Sequence, residues 1–547
     1  MRENSRLFDG AQECKDASAW YVRGANPEPQ GATGGIRVPY HKTSAPDDFL
    51  GAYEELHEME EHLRSDTAFA DDHTELEEYV REHGREVERR MLQAHLDLRA
   101  ARERRVDVRG ADGVRRTTQR QWRRRLLTIV GMVEVKRWAY EAKGVEPLLP
   151  ADAALNLPDD MYSFGVRRLV AEEASKVSFD EVVVQTRKIL GVAVPKRQVE
   201  ELTVRAARDF TAFYATRAVK VEDTAALLVF GFNGKGVVVR REDLREGTRK
   251  AAEKSKHKLE TRLTKGEKRN RKRKAQVATI YTVDPWVRTP MDILHDLRSV
   301  RAVTTPRPRP VNKRVWASLE VEPKKVIAEA FAEGLRRDPD RKRRWVVLVD
   351  GDRDQLRRVK RAVKKAGVDA TIVLDLIHVL EYFWKAAHCF HRAGSPALEQ
   401  WVNQRLLALL QGRAAGAFAK DLRRWAARRA LDKDKQKVVN DCIRYLVNNR
   451  KLLHYDRVLA AGMPLASGAV EGACRHLLQD RLDITGARWS LHSAEAVLKL
   501  RALRSSGDFE EYWAFHLAHE RVRNHEVHYA NRQLPGPLWP TKRTRVR

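Results

Sequence analysis

Residues 227–240 read LLVFGFNGKGVVVR, and the way this stretch is divided decides the fold. An apolar run leads into Asn233–Gly234, the dipeptide most favoured in a two-residue hairpin turn, because both central positions there need positive φ. A second apolar run follows at Val237–Val239, so the reading is strand, tight turn, strand. Working outward, QVATIYTV (276–283) follows a very basic run, KGEKRNRKRK (265–274), and reads as a further strand. Residues 323–336 are helical in pattern. RWVVLVDGD (344–352) is a buried strand ending in acid, 354–366 is a basic amphipathic helix, and ATIVLD (370–375) is a fifth strand closing on Asp375. Continuous apolar runs of this length, bounded by turn residues, belong to strands covered on both faces.

Three strands, a helix, then strand–helix–strand is the order of an RNase H-like fold with a mixed sheet. In that order Asn233 ends the first strand, Asp350 ends the fourth, and both fall at one edge of the sheet. Residues 396–464 are helical in pattern almost throughout. SGAVEGACRHLLQDRL (467–482) then forms a helix that presents Glu471. Acids at neighbouring strand ends plus one from a helix make the minimal cage for two divalent cations in an in-line displacement at phosphorus. Each acid alone has a plainer reading: Asp350 as a strand-end turn residue beside Asp352 and Asp354, Glu471 as an acid favouring its helix dipole.

The chain has 547 residues, room for roughly three to four domains, and a hydrophobic fraction of 42%, which excludes wholesale disorder. Its net charge of +28 points to a polyanionic partner. No apolar run approaches the roughly 18 to 20 residues of a membrane span, and MRENSRLFDG is no secretory signal. Cys14, Cys389, Cys442 and Cys474 form no CxxC pair, which argues against a zinc ribbon or a disulfide framework and fits a reducing cytosol.

The charge is uneven. Residues 47–90 hold sixteen acids against five bases, so the remainder is more basic than the average. Phe49, Tyr53, Leu56, Met59 and Leu63, and again Leu76, Val80, Val87, Met91, Ala94 and Leu98, recur at helical steps. Two amphipathic helices with a solvated acidic face are expected, there to pack, dimerise or mask basic surface. Residues 102–140 carry turn signals at Gly110 and Gly113 and alternation after Leu126, which predicts a small β-rich module. On its basic hairpin Arg115, Arg116, Arg120, Arg123, Arg124 and Arg125 are candidates to meet phosphates.

Residues 163–210 predict three helices. The second opens at Ser178 as N-cap with Glu181 three residues on, Gly191 stops it, and Pro195 starts the third. Helix, glycine-containing turn and helix is helix-turn-helix grammar, with Lys196, Arg197 and Gln198 at the end that enters a major groove. The alternative is a plain three-helix packing.

Together FNGKGVVVRREDLREGTRKAAEK, AQVATIYTVDPWVRTP, VLVDGDRDQL, DLIHVLEYFW and SGAVEGACRHLLQDRLDITGARWSLHSAEAVLKLRALRSSGDFEEYW resemble bacterial insertion-sequence transposases of the ISKra type, distant relatives of Mutator-like enzymes. The resemblance runs from about residue 90 to residue 530. It implies a DDE transposase with an RNase H-like core, binding terminal inverted repeats and target DNA as double strands and acting as a homodimer or higher oligomer. It implies Mg²⁺, with Mn²⁺ as substitute, two ions per site. It puts the second acid on Asp350 and the third on Glu471, and gives Asp375 and His378 a supporting role, against the plainer reading of a capped helix start with a packed imidazole. The family pattern has aspartate where this chain has Asn233, a neutral oxygen donor. The implied alternative is an inactive DNA-binding protein of transposase descent, a repressor or structural binder. Further DNA contacts are expected at Arg269, Lys272, Arg273 and Lys274, at Arg307 and Arg309 within a basic patch reaching Arg314, and at Arg488 and Trp489, the last stacking on a base.

The fold class expected is therefore multidomain α/β plus α. It comprises an arm (1–46), an acidic helical region (47–105), a β-rich basic module (106–150) and a helix-turn-helix domain (151–220). The RNase H-like core (221–390 and 466–530) is interrupted by a helical insertion (391–465), and a basic tail (531–547) follows. A bacterial cytoplasmic, nucleoid-associated location goes with this scheme.

Overall fold

The centre of the molecule is a five-stranded sheet made of β4 (Leu227–Val238), β5 (Lys272–Val283), β6 (Val311–Ser318), β7 (Trp345–Val349) and β8 (Ala370–Leu374), numbered after three strands of a smaller sheet given below. The order across it is β8-β7-β4-β5-β6. β4 pairs antiparallel with β5 and β5 with β6, while β4 pairs parallel with β7 and β7 with β8. The sheet is mixed; in its parallel half β7 is buried on both faces, as its unbroken apolar run requires, while the edge strand β8 is buried only at Val373 and Leu374. In this computed structural model the residues described are 48–219, 221, 224–254, 271–297, 306–466, 468–484 and 487–539. The expected arm, Arg269 and the end of the basic tail lie outside them.

Two expectations about this sheet are corrected. Asn233–Gly234 is not a turn: β4 runs unbroken through it, with Asn233 opposite Val277 and Gly234 opposite Gln276, and neither Gly234 nor Gly236 adopts positive φ. The twelve-residue partner β5 supplies ladder hydrogen bonds along the whole segment, and that outweighs the local turn preference. The third strand is instead β6, inside the stretch read as a basic patch. Arg314 there is 2% exposed, lies 3.6 Å from the Tyr214 ring centroid and 4.3 Å from that of Trp316, and pairs with Glu329 and Glu333. A guanidinium buried and paired in this way is out of reach of phosphate.

Around the sheet the helices read from sequence appear. The acidic region forms α1 (Leu50–Leu63), a short α2 (Asp66–Ala70) and α3 (His73–Ala101), the last opened by a capping box at Asp72 and Glu75. It packs within the chain: Glu55 is buried against His83 and Arg90, and Leu96 joins Leu126, Val133 and Val135 in one cluster. The β-rich module is the sheet of β1 (Thr118–Thr128), β2 (Gly131–Ala142) and β3 (Val145–Leu148), whose hairpin turns at Ile129–Val130. Its Gly110–Gly113 turn joins a separate two-residue ladder.

The next three helices are α4 (Phe164–Lys176), α5 (Phe179–Leu190) and α6 (Lys196–Ala206). The Ser178 side chain accepts the Glu181 N–H, and Gly191 closes α5 at φ 74. They enclose Val166, Val170, Val182, Leu190, Val194 and Leu202. A short α7 (Phe210–Thr216) leads to β4.

Between β6 and β7 lies α8 (Pro323–Arg337), and between β7 and β8 lies α9 (Arg353–Ala366). After β8 comes α10 (Leu376–Phe390), and α11 (Pro396–Leu410), α12 (Ala415–Arg428) and α13 (Lys433–Asn448) follow in the stretch 391–465 read as helical. α14 (Gly468–Ala473) then runs on through a π-helical segment, Cys474–Gln479, before α15 (Leu491–Ser506) and α16 (Phe509–Asn524). Among the described residues no helix is long and apolar enough to cross a membrane.

Candidate active site

Asp375, His378 and Glu471 meet at one end of the parallel strands, next to Asp350. Register explains why. β4 pairs Gly231 with Leu348, and β8 pairs Leu374 with Val349. Carried on along the strands, these registers set Asn233 opposite Asp350 and Asp350 opposite Asp375. The Asp375 N–H donates to the Val349 carbonyl at 2.8 Å, which holds that alignment. Glu471 arrives from α14, whose Val470 packs so closely on Gly231 that a Cβ there would sit 3.0 Å from its side chain.

Asp350 is half-buried. Its Oδ1 accepts the Asp352 N–H at 2.8 Å, and its carbonyl accepts the Tyr445 hydroxyl at 2.9 Å. Gly351 follows at φ 87, with Asn449, Leu374 and Tyr445 each 3.0 Å from where a Cβ would stand, so both conformation and space call for glycine. Asp375 is 1% exposed and caps α10, its Oδ1 accepting the Ile377 N–H at 2.8 Å. One turn on, His378 Nδ1 lies 3.7 Å from Asp375 Oδ1 and 3.8 Å from Glu471 Oε1.

The charges around His378 and Glu471 shift the titration of both. Asp375 above all raises the His378 pKa, Asp350 and Glu381 add to this, and burial opposes it. Burial raises the Glu471 pKa, the Asp375 and Glu381 charges raise it further, and His378 opposes them. One ligand atom from each of Asp375, His378 and Glu471 falls within 4.8 Å of the others. A carboxylate whose charge is disfavoured by burial and by neighbouring acids, as that of Glu471 is, gains from a nearby cation, and oxygen-rich sets suit a hard divalent ion. The donor set fits such an ion.

A second group with the same spacing, Asp209, His516 and Glu520, is fully buried. It already holds its cations: Glu520 pairs with Arg167 at 2.8 Å and also with Arg208 and Arg523, and Asp209 pairs with Arg523 at 2.6 Å. That is an ion network joining α4–α7 to α16.

Of the expected positions, strand register sets Asn233 and Asp350 level, and Glu471 is grouped with Asp375 and His378. Asp375 and His378 stand inside the cluster rather than behind it. Asn233 is half-buried and turns its Oδ1 to its own neighbour, the Gly234 N–H, at 2.6 Å. Lys235, two residues along the same strand face, was not singled out from sequence; alternation along β4 was the available signal.

The expected DNA contacts divide sharply. Arg120, Arg125, Arg307, Arg309 and Arg488 are exposed and make no ion pair among the described residues. Arg115, Arg123, Lys196, Arg197 and Lys274 are exposed but face Asp107, Glu134, Asp180, Glu201 and Asp352. Gln198 bonds to Glu201, Lys272 pairs with Asp483 at 3.2 Å, and Arg273 donates to the Leu319 and Asp243 carbonyls. Arg124 is largely covered, donating to the Pro158 carbonyl. Two expectations are corrected outright. Arg116 is buried and spent on Asp112 and the Glu146 carbonyl. Trp489 is 6% exposed, edge-on to Phe179, beneath Arg481 and donating to the Leu482 carbonyl, so no ring face is open to a base.

No protein-family model matches the chain, and no curated protein matches it either.

Proposed function

We propose that the mixed sheet with its helices is an RNase H-like core and that the chain is a DNA transposase of the insertion-sequence type. On this reading it binds terminal inverted repeats and target DNA, works as a homo-oligomer at the bacterial nucleoid, and cuts and rejoins phosphodiester bonds. The observation that carries the reading is the grouping of Glu471, from a helix far along the chain, with Asp375 and His378 at the strand end next to that of Asp350.

Asp350, Asp375 and Glu471 would hold Mg²⁺ or Mn²⁺, which when bound stabilises the entering and leaving oxygens of an in-line displacement. His378, made more basic chiefly by Asp375, orients the Glu471 carboxylate beside it. The exposed bases Arg120, Arg125, Arg307, Arg309 and Arg488 bind phosphate, and the start of α6 faces a groove.

Nicking of duplex DNA carrying the flanks of the chain's own gene, with Mg²⁺ or Mn²⁺, tests this. Cleavage that disappears in Asp350→Asn, Asp375→Asn and Glu471→Gln supports it; cleavage indifferent to all three sinks it. A second reading, a DNA-binding protein that does not cut, is favoured by Asn233, which brings no charge to its strand end. Tight duplex binding without cleavage under any of these conditions would establish that second reading.

A further inference from the structure

The outer side of α9 carries a stripe of charge that the functional reading above does not use. Arg353, Arg357, Lys360, Arg361, Lys364 and Lys365 are all exposed, and Arg358 flanks them half-buried. The inner side is Gln355, Val359 and Ala366, with Leu356, Ala362 and Val363 packed on the core. At 3.6 residues per turn the two sets fall on opposite sides of the helix.

Asp354 is the only acid on the helix, and it pairs with Arg357. Among the described residues the other bases of α9 make no ion pair. Elsewhere the bases singled out from sequence are mostly answered inside the chain, Lys196 by Asp180, Arg197 by Glu201 and Lys272 by Asp483. Like charges three and four residues apart weaken a helix, so this stripe costs the isolated protein stability. A polyanion outside the chain offsets that cost.

The stripe also has a direction. α9 starts just after Asp350 and joins β7 to the parallel β8, so it runs back along the sheet away from the acids. At about 1.5 Å of rise per residue, Arg353 to Lys365 covers roughly 18 Å. That is about half of the 34–36 Å turn of a duplex.

We propose that the outer face of α9 is a docking rail for double-stranded DNA, gripping phosphates in sequence-independent fashion and leading the backbone to the Asp350 end of the sheet. Its occupant, though not its charge, rests on the DNA reading above. Charge complementarity selects phosphate, and the straight, evenly based stripe suits a regular backbone rather than a folded acidic protein.

The test uses the full chain and the combined substitution Arg353→Gln, Lys360→Gln, Arg361→Gln and Lys364→Gln. Binding of a labelled random-sequence duplex is followed by anisotropy across a salt series. Each lost phosphate contact lowers the slope of log K against log salt by about 0.9, so a drop of roughly 3 to 4 is expected with a loss of affinity of at least about tenfold. Because glutamine is a good helix former and the repulsion is gone, thermal unfolding should stay level or rise. Unchanged slope and affinity overturn the proposal. So does a fall in unfolding temperature, which would mark the bases as structural. A variant that turns monomeric with its DNA slope intact also overturns it, assigning the stripe to the acidic helices of a second copy. If the slope falls while no cleavage is found in any chain, the rail stands and the transposase reading fails; cleavage with an unchanged slope gives the converse.

Discussion

His378 Nδ1 stands 3.8 Å from Glu471 Oε1 and 3.7 Å from Asp375 Oδ1, so one imidazole is shared by two carboxylates that reach it from opposite ends of the helical insertion. A divalent cation binding these acids in the folded state and not in the unfolded chain adds stability by mass action. Mn²⁺ at a hundred times its dissociation constant should add about 2.7 kcal/mol. Thermal unfolding with and without Mn²⁺ reads this directly, and Asp375→Asn or Glu471→Gln should remove most of the gain. No shift in the unmodified chain would exclude the site.

Asn233→Asp adds a carboxylate opposite Asp350. On the transposase reading, that carboxylate joins those of Asp350, Asp375 and Glu471 around the metal. A gain of about 10- to 100-fold in metal-dependent cleavage is expected, with duplex affinity nearly constant because the proposed phosphate contacts lie elsewhere. An equal loss of binding would show that residue 233 touches DNA or shapes the fold instead.

Arg167 and Glu520 are both fully buried and 2.8 Å apart, tying α4 to α16. Removing one partner leaves an uncompensated buried charge, so Arg167→Met or Glu520→Gln should cost about 3–5 kcal/mol. Denaturant unfolding measures it. Values near zero would mean that α4–α7 are not held by this network.

Trp489 packs against Phe179 and Arg481, and its backbone bridges to Val239. Trp489→Ala should therefore cost about 3–5 kcal/mol through the cavity it leaves, while Trp489→Phe keeps most of the stability. Unaltered unfolding combined with lost DNA processing would reverse this assignment.

Burial pushes the Glu103 carboxyl up to about 7, the charge of Asp152 adds to this, and the Trp138 N–H and Arg137 oppose it. The folded chain therefore binds a proton that the unfolded chain has released between about pH 4.5 and 7. The contribution of Glu103 to stability is full below that window and is lost as pH rises through it. Glu103→Gln should flatten this part of the pH profile and raise stability at pH 8, on the order of 2 kcal/mol. A profile unchanged by the substitution would place the charge of Glu103 in water.

By itself the sequence determined what depends on near neighbours. The apolar runs at 345–349 and 370–374 read as strands, and Ser178 and Gly191 mark helix ends through bonds made within a few residues. Such local signals put Asp350 at a strand end and Glu471 on a helix, while their reading as site residues came from strand order and the resemblance. Whether Asn233–Gly234 turns or extends was settled by a partner strand some forty residues on, because a full ladder outweighs a turn preference. Arg116, Arg314 and Trp489 look like any other surface candidates in the sequence, and only the elements packed over them took them out of solvent. Asp375 entered the site through strand register, a property of two paired segments and not of either alone. Long-range pairing and burial are collective, so the tertiary structure alone decided which charges face one another, which are spent inside, and which are left for a partner.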